Sequence, residues 1–135
     1  FERTDQEVRF DVDEVQAWAD PIRVRQIARN LLSNAGRYGG NDVIVSVRAE
    51  AEDALLSVSD NGLGIRAEDR EFVFQAFGRS RGAAGRPGSI GLGLAVSRYL
   101  AEAMGGSLAY ERVEGASVFR LRLPRYHTEM SRGSR

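Results

Sequence analysis

The chain of 135 residues is long enough for one domain with a hydrophobic core, and its 42% hydrophobic and 28% charged residues are typical of a globular protein. The formal net charge is zero, so composition gives no reason to expect a nucleic acid or an anionic membrane as a partner. All 19 basic residues are arginine and there is no cysteine, which excludes lysine-based covalent or P-loop chemistry, disulfides, thiol nucleophiles and zinc–thiolate sites.

The first predicted elements are a strand and a long amphipathic helix. Residues 7–13 alternate apolar and polar side chains, which predicts a strand. Asp20 then suits the N-cap of a helix, and Pro21 suits the first helical position, where no amide hydrogen is needed. We expect this helix to end near Tyr38, because Gly39-Gly40 follows at once.

One edge of this helix is polar where it borders the core. The apolar stripe that faces the core consists of Val24, Ile27, Ala28, Leu31 and Ala35. The solvent-facing side consists of Arg25, Arg29, Ser33 and Gly36. The polar edge between them consists of Gln26, Asn30, Asn34 and Arg37. Residues four apart are neighbours on a helix, so Asn30 and Asn34 project into one region. Amides beside a core need polar partners, which favours a ligand site for the set. Each Asn taken alone also suits a half-exposed polar position.

Two strands and a glycine-rich turn follow. Residues 43–49 and 54–59 predict a hairpin, and its second strand leads into Asp60-Asn61-Gly62-Leu63-Gly64-Ile65. A carboxylate at this strand end can accept a hydrogen bond from an exocyclic amine, while the glycines let a flat ring approach the backbone. Taken alone, the same residues also suit a simple tight turn.

The stretch Gly62 to Ala67 also fits the G-x-G-x-x-A pattern of dinucleotide-binding proteins. That interpretation requires an acidic residue roughly 20 positions further on, at the end of a second parallel strand. A segment rich in glycine and arginine occupies that region instead, so we reject the dinucleotide interpretation.

A short helix is predicted over residues 67–74, and residues 75–90 lose all periodicity. Residues 75–90 have the composition of a flexible loop, and a loop of this length in a compact domain is more often functional or disordered than inert. Its arginines would add positive charge to a nearby anion site, or serve only as solvated loop residues: Arg79, Arg81 and Arg86.

The last part of the chain predicts a helix and two strands. Gly88 and Gly91-Leu92-Gly93-Leu94 lead into an amphipathic helix that ends near residue 104. Glycines at a helix N-terminus expose amide hydrogens, which together with the helix dipole favour phosphate groups. Strands are predicted over residues 107–112 and 117–123. The order of elements predicts an α/β two-layer sandwich, with helices on one face of a mixed, mostly antiparallel sheet.

Four segments now combine into a family resemblance. NLLSNAGRYG, DNGLGI, FQAFGRS and GSIGLGLAV occur in this order. They resemble the N, G1, F and G2 boxes of the catalytic, ATP-binding domain of sensor histidine kinases, which share the Bergerat (GHKL) fold with type II topoisomerases and heat-shock chaperone ATPases. The resemblance implies a Bergerat fold over residues 1–125 with a flexible ATP lid at residues 75–90. Residues 126–135 would form a polar tail.

The resemblance also implies ATP and Mg²⁺ as cofactors and gives roles to individual residues. Asn34 corresponds to the Asn that binds Mg²⁺, with Asn30 one turn earlier at the same site. Arg37 corresponds to a basic position near the phosphates, and Tyr38 to a residue that packs on the adenine. Asp60 corresponds to the carboxylate that reads the adenine amino group. The other implied nucleotide contacts are Gly62, Gly64, Ile65, Phe77, Gly88, Gly91, Leu92, Gly93 and Leu94.

Asn30 bears on the type of reaction. The resemblance implies that ATP-hydrolysing members of the group carry Glu as a general base at this position, and an amide cannot take a proton from water near neutral pH. We therefore expect slow hydrolysis and name Asn30 and Arg37 as the catalytic residues of phosphoryl transfer to a histidine. The only histidine, His127, lies in the polar tail and is interpreted as a surface residue rather than the acceptor.

The implied partners are a dimerisation and phosphoacceptor domain, absent from this chain, and a response regulator. The chain opens on Phe1 without an initiating Met or a signal peptide, so we expect a piece of a longer protein. We expect a monomeric cytoplasmic domain without membrane contact of its own, from a membrane-anchored parent. The alternative is a nucleotide-binding regulatory module or an anti-sigma-type serine kinase on the same fold.

Overall fold

The computed structural model describes residues 5–75 and 93–126. Within these ranges a five-stranded sheet has the spatial order β1-β2-β3-β5-β4. The strands are Glu7–Val12 (β1), Asp42–Glu50 (β2), Asp53–Asp60 (β3), Ser107–Val113 (β4) and Ala116–Pro124 (β5). Only β1 and β2 are parallel, and the other pairs are antiparallel. The predicted mixed sheet is therefore confirmed.

Two α-helices, α1 (Pro21–Tyr38) and α2 (Gly93–Ala103), pack on the sheet and against each other. They share one core with the strands, since Ile27 and Leu31 of α1 and Leu94 of α2 are buried in the same cluster as Val58 and Leu121. Burying a side chain such as Leu31 contributes about 2 kcal/mol to stability. This packing presents the C-terminal half of α1 beside the end of β3.

The ends of α1 follow from its sequence. The side chain of Asp20 accepts a hydrogen bond from the amide of Ile22 (2.9 Å), and Pro21 occupies the first turn. At the other end, the amide of Gly39 donates to the carbonyl of Ala35 (2.9 Å). Because α1 lies between β1 and β2, it forms the crossover that a parallel pair of strands requires.

Two details differ from the sequence-based expectation, and a third expectation is not tested by the described residues. Residues 67–72 form a 3-10 helix, Ala67–Phe72, rather than a longer helix to residue 74. The described part of α2 begins at Gly93, and the predicted start at residues 91–92 lies outside the described residues. Gly36, expected to face solvent, is buried, because the segment before β1 covers the last turn of α1 and its Gln6 donates to the carbonyls of Ala35 (3.0 Å) and Gly40 (2.9 Å).

In the part of the chain that is described, neither helix combines the length and the apolar character needed to cross a lipid bilayer.

Candidate functional site

Two adjoining cavities lie along the C-terminal half of α1, and Asn34 and Tyr38 line both of them. Counted to their open mouths, they hold about 300 Å³ and 360 Å³. The first, called here the Asp60 cavity, is lined by Asn34, Tyr38, Gly39, Asp60, Gly64, Ile65, Tyr110, Ser117 and Phe119. The second, called the Asn30 cavity, is lined by Asn30, Ser33, Asn34, Arg37, Tyr38, Gly93 and Leu94. The shared residues make the two cavities one elongated cleft.

Asp60 is the buried acid of the first cavity and is only 8% exposed. One carboxylate oxygen, Oδ1, accepts hydrogen bonds from the amides of Gly62 (2.7 Å) and Gly40 (3.2 Å). The other oxygen, Oδ2, accepts none from any residue of the described ranges. Since Asp60 lines the cavity, Oδ2 can accept a hydrogen bond from a ligand there.

Glycines lie next to the Asp60 carboxylate at positions where any larger residue would place its Cβ too close to other atoms. A Cβ at Gly39 would lie 2.9 Å from Cγ of Asp60, and a Cβ at Gly62 would lie 2.9 Å from its Oδ1. The backbone of the turn therefore approaches the carboxylate closely on two sides. Gly62 does not line either cavity, and its contribution is the amide that orients Asp60.

Side chains from β4 and β5 hold the wall of the Asp60 cavity. The hydroxyl of Tyr110 accepts a hydrogen bond from the amide of Ile65 (3.0 Å) and lies 3.0 Å from Oγ of Ser117. Nη1 of Arg112 donates to Oγ of Ser117 (2.9 Å) and to the carbonyl of Gly62 (2.7 Å). The turn after β3 is thus tied to the sheet at two backbone positions.

Asn30 links α1 to the start of α2 in the second cavity. Its Nδ2 donates to the carbonyl of Gly93 (3.2 Å) and to Oγ of Ser97 (2.9 Å). A carbonyl oxygen can only accept, so the amide nitrogen of Asn30 must face α2. The amide oxygen is left for a ligand in the cavity.

Asn34 lies one helical turn further on, half-buried and facing both cavities. Its side-chain amide forms no hydrogen bond with any other described residue. A half-buried amide without a protein partner is costly unless water or a ligand satisfies it. Asn34 is therefore the polar group most directly available to a ligand that spans the cleft.

The oxygen donors of Asn30 and Asn34 suit a hard cation such as Mg²⁺. Magnesium is usually held by one or two protein oxygens together with waters and substrate phosphates, rather than by a protein cage. Within residues 5–75 and 93–126, no group of three or more His, Cys, Asp or Glu side chains could hold a metal by itself. The donor set thus fits a metal that arrives with a phosphate-bearing ligand.

The structure brings most of the sequence-predicted site residues to this cleft. Those that line it are Asn30, Asn34, Arg37, Tyr38, Asp60, Gly64, Ile65, Gly93 and Leu94. Four further predicted contacts lie outside the described residues: Phe77, Gly88, Gly91 and Leu92.

Sequence reasoning missed five lining residues. Gly39 was assigned only to the end of the helix, but it also lines the Asp60 cavity. Ser33 was assigned to solvent but lines the Asn30 cavity, because α2 packs beside that part of α1. Tyr110, Ser117 and Phe119 come from strands whose positions in the sheet no local pattern specifies. Their only signal in the sequence is the alternation of side chains between the two faces of each strand. This alternation predicts which side chains point toward the core, but not which of them line a cavity.

Comparison with known proteins gives the cleft a family context. Residues 19–127 match the family described as histidine kinase-, DNA gyrase B-, and HSP90-like ATPase. The chain is 43% identical over 107 residues to the sensor protein TorS of Escherichia coli K12, covering 78% of this chain and 11% of TorS. It is 38% identical over 111 residues to the signal transduction histidine-protein kinase AfsQ2 of Streptomyces coelicolor, covering 82% of this chain and 21% of AfsQ2.

Solved structures of histidine kinases have the same fold as this chain. The mycobacterial sensor histidine kinase MprB superposes with a TM-score of 0.80 at 28% identity, covering 93% of this chain and 88% of that one. Full-length ShkA in complex with AMPPNP superposes with a TM-score of 0.76 at 28% identity, covering 90% of this chain and 26% of ShkA. The chain spans 9 to 25% of the length of the curated relatives it matches.

Proposed function

We propose that this chain binds ATP with Mg²⁺ in its cleft and donates the γ-phosphoryl group to a histidine of a separate dimerisation domain. The chain belongs to the histidine kinase-, DNA gyrase B-, and HSP90-like ATPase family, and it matches catalytic domains of sensor histidine kinases. The observation that carries this proposal is the position of Asn34. Its side-chain amide, which has no hydrogen-bond partner among residues 5–75 and 93–126, lies where the Asp60 cavity meets the Asn30 cavity.

The Asp60 cavity is the proposed adenine site. Oδ2 of Asp60 accepts no hydrogen bond from the described residues and suits the exocyclic amino group, and Tyr38, 39% exposed, is the most exposed of the aromatic side chains that line the cavity. Gly64 and Ile65 also line this cavity, and the backbone at Gly64 has no side chain to keep a flat ring away.

The Asn30 cavity is the proposed triphosphate site. Arg37 supplies a positive charge, and Gly93 and Leu94 belong to the first described turn of α2; amides and the dipole at a helix N-terminus favour anions. Asn34 and Asn30 would hold Mg²⁺ through their amide oxygens, directly or through water. When bound, the metal supplies charge neutralisation at the phosphates.

Transfer is favoured over hydrolysis by the chemistry of Asn30. Both polar contacts of its amide nitrogen are hydrogen bonds donated to α2, and its oxygen is a very weak base. Asn30 therefore cannot activate water, while Arg37 can stabilise charge on the γ-phosphoryl group. In the proposed step, a P–N bond forms to the imidazole of the acceptor as the P–O bond to ADP breaks.

The acceptor histidine and a response regulator are proposed partners. The parent is proposed to be a membrane-anchored sensor in which this chain forms a cytoplasmic domain, residues 1–125, followed by a short tail. His127 and the proposed lid, residues 75–90, lie outside the described residues except for Gln75.

The test is phosphorylation in trans. The chain is mixed with the dimerisation domain of its parent and γ-labelled ATP, with an Asn34→Ala chain as the inactive control. Acid-labile phosphohistidine on the added domain, lost with Asn34→Ala, is the expected result. Acid-stable phosphoserine or phosphothreonine on a partner would instead support the serine-kinase alternative, and nucleotide binding without any transfer would support a regulatory module.

A further inference from the structure

Strand β1 is an edge of the sheet, and its apolar side is uncovered. Within the described ranges it pairs only with β2, and all six of its residues are exposed. Its apolar residues, called here the β1 row, are Val8 (41% exposed), Phe10 (66%) and Val12 (55%). Val8 and Phe10 are register partners of Val43 and Val45, two residues of the core, so the row lies on the face that carries the helices. The helices pack mainly on β3, β4 and β5 and leave the row open.

The outer edge of β1 also offers free backbone groups. The amides of Glu7 and Asp13 donate to backbone carbonyls of the segment that contains β2, over 2.8 Å and 2.9 Å. Residues in a strand direct their N–H and C=O groups alternately to its two edges. The backbone groups of Val8, Phe10 and Val12 therefore point away from β2, and no described residue binds them. Such an edge is a template for pairing with another strand.

A second copy of β1 fits this edge in one antiparallel register. In that register Phe10 faces Phe10 of the second copy, and Val8 faces Val12 of the second copy. The outward backbone groups then form the hydrogen-bonded pairs of the ladder. Arg9 faces Asp11 in the close, non-hydrogen-bonded pairs between them, where opposite charges attract. Arg9 forms no ion pair with any described residue, so its charge is available to the second copy.

Charge selects this register over its neighbours. A shift by two residues keeps both apolar rows on one face, but it places Arg9 against Arg9 in one direction and Asp11 against Asp11 in the other. A shift by one residue would put the two rows on opposite faces. In the favoured register one like-charged pair remains, Glu7 against Asp13. Asp13 lies beyond the end of β1, and Nη1 of Arg48, 3.8 Å from its Oδ2, compensates its charge.

We propose that two copies of this chain associate through β1, in an antiparallel pairing centred on Phe10 that joins their sheets into one. The pairing is symmetric and buries the β1 row of each copy against that of the other. On the opposite face, Arg9 of the second copy extends the ion pair between Asp11 and Arg48 (2.6 Å). No residue of β1 lines the cleft, so the proposal stands apart from nucleotide binding. It differs from the monomer expected from the sequence, which does not show that β1 lies at an edge of the sheet.

The size of the contact determines how it is tested. A pairing of two six-residue strands is smaller than a standard protein interface, which predicts a weak association. The experiment is therefore sedimentation equilibrium of the whole chain, from ~10 μM to ~1 mM, at physiological ionic strength. It compares the wild type with Arg9→Glu, Asp11→Arg and a control, Arg29→Glu. Arg29 is an exposed residue of α1 that lines neither cavity, and its substitution changes the net charge as Arg9→Glu does.

The expected result is a dimer that depends on charge pairing across β1. The wild type and Arg29→Glu should approach twice the 14.9 kDa mass of one chain as the concentration rises. Arg9→Glu alone and Asp11→Arg alone should each associate about tenfold more weakly, because each brings like charges together in the pairing. An equimolar mixture of these two variants should associate as the wild type does, because each substituted residue then faces an opposite charge.

A wild type that stays monomeric up to ~1 mM would overturn the proposal. A dimer that neither charge reversal weakens would also overturn it, since another surface would then join the copies. So would a mixture that fails to associate although both variants unfold in urea as cooperatively as the wild type.

A further variant covers the case in which Asp11→Arg loses its fold together with the ion pair to Arg48. Phe10→Lys replaces an exposed side chain and places like charges at the centre of the pairing. It should remain monomeric where the wild type dimerises, and a dimer as strong as that of the wild type would contradict the proposal. Each of these failures would leave the proposed nucleotide-binding function intact.

Discussion

Asn30 and Ser97 join the two helices of the cleft through one hydrogen bond, in which Nδ2 of Asn30 donates to Oγ of Ser97 over 2.9 Å. Ser97 is completely buried in α2. The same nitrogen also donates to the carbonyl of Gly93, so α2 determines which way the amide of Asn30 points. The hydrogen bond to Ser97, which does not line the Asn30 cavity, thus helps to leave the amide oxygen of Asn30 available to a ligand in that cavity.

Ser97→Ala tests this dependence. Removing one buried hydrogen bond should lower the free energy of unfolding by about 1 kcal/mol, measured by urea denaturation. Because Asn30 then keeps only the longer bond to Gly93, the affinity for Mg²⁺-ATP should also decrease. Ser57→Ala is the control, since Ser57 lies on β3 and lines neither cavity. Equal nucleotide affinities in the two variants would show that Ser97 does not orient Asn30.

Asp60→Asn tests the base site. The Asn oxygen can keep the hydrogen bonds from Gly40 and Gly62, while its NH₂ group replaces the acceptor Oδ2 by a donor. The fold should persist, but the preference for ATP over GTP should fall about tenfold or more. Competition binding measures the preference, with Asp53→Asn at the opposite end of β3 as the control. A preference equal to that of the wild type would contradict the role of Asp60.

Gly64→Ala tests how tightly the wall of the cavity is packed. Gly64 and Gly115 both have φ of 84°, so an Ala at either position carries similar backbone strain, about 1 kcal/mol. Only at Gly64 would the new Cβ meet other atoms, because nothing lies within 4 Å of the Cβ position at Gly115. We expect Gly64→Ala to cost a further ~1–3 kcal/mol and to weaken ADP binding. Equal unfolding free energies and ADP affinities for the two variants would refute a packed wall.

Much of this architecture could be predicted because its causes are local. Asp20-Pro21 and Gly39 set the ends of α1 through capping and the loss of a backbone donor, and the alternating strands followed from their period of two. The polar edge of α1 was visible for the same reason, since Asn30 and Asn34 are one turn apart. The residues of the N and G1 boxes could then be placed by resemblance.

What could not be predicted depends on contacts distant in sequence. Asp60 and Ser117 are 57 positions apart by their numbers, and only the pairing of β3 with β5 brings them together. Ser33 belongs to the cleft because α2 packs next to α1, which no helical pattern in α1 reveals. The orientation of the Asn30 amide depends on Ser97 in the same way.

The central claim is that Asn34 is the metal-linked contact of a nucleotide cleft, and a titration of ATP with and without Mg²⁺ tests it most directly. Wild type is compared with Asn34→Ala and with Gln26→Ala, an exposed polar residue two turns earlier on α1. Mg²⁺ should strengthen ATP binding to the wild type and Gln26→Ala. In Asn34→Ala the loss should be on the order of 2 kcal/mol, about 30-fold in affinity, with the effect of Mg²⁺ abolished. Wild-type affinity and Mg²⁺ dependence in Asn34→Ala would contradict the account.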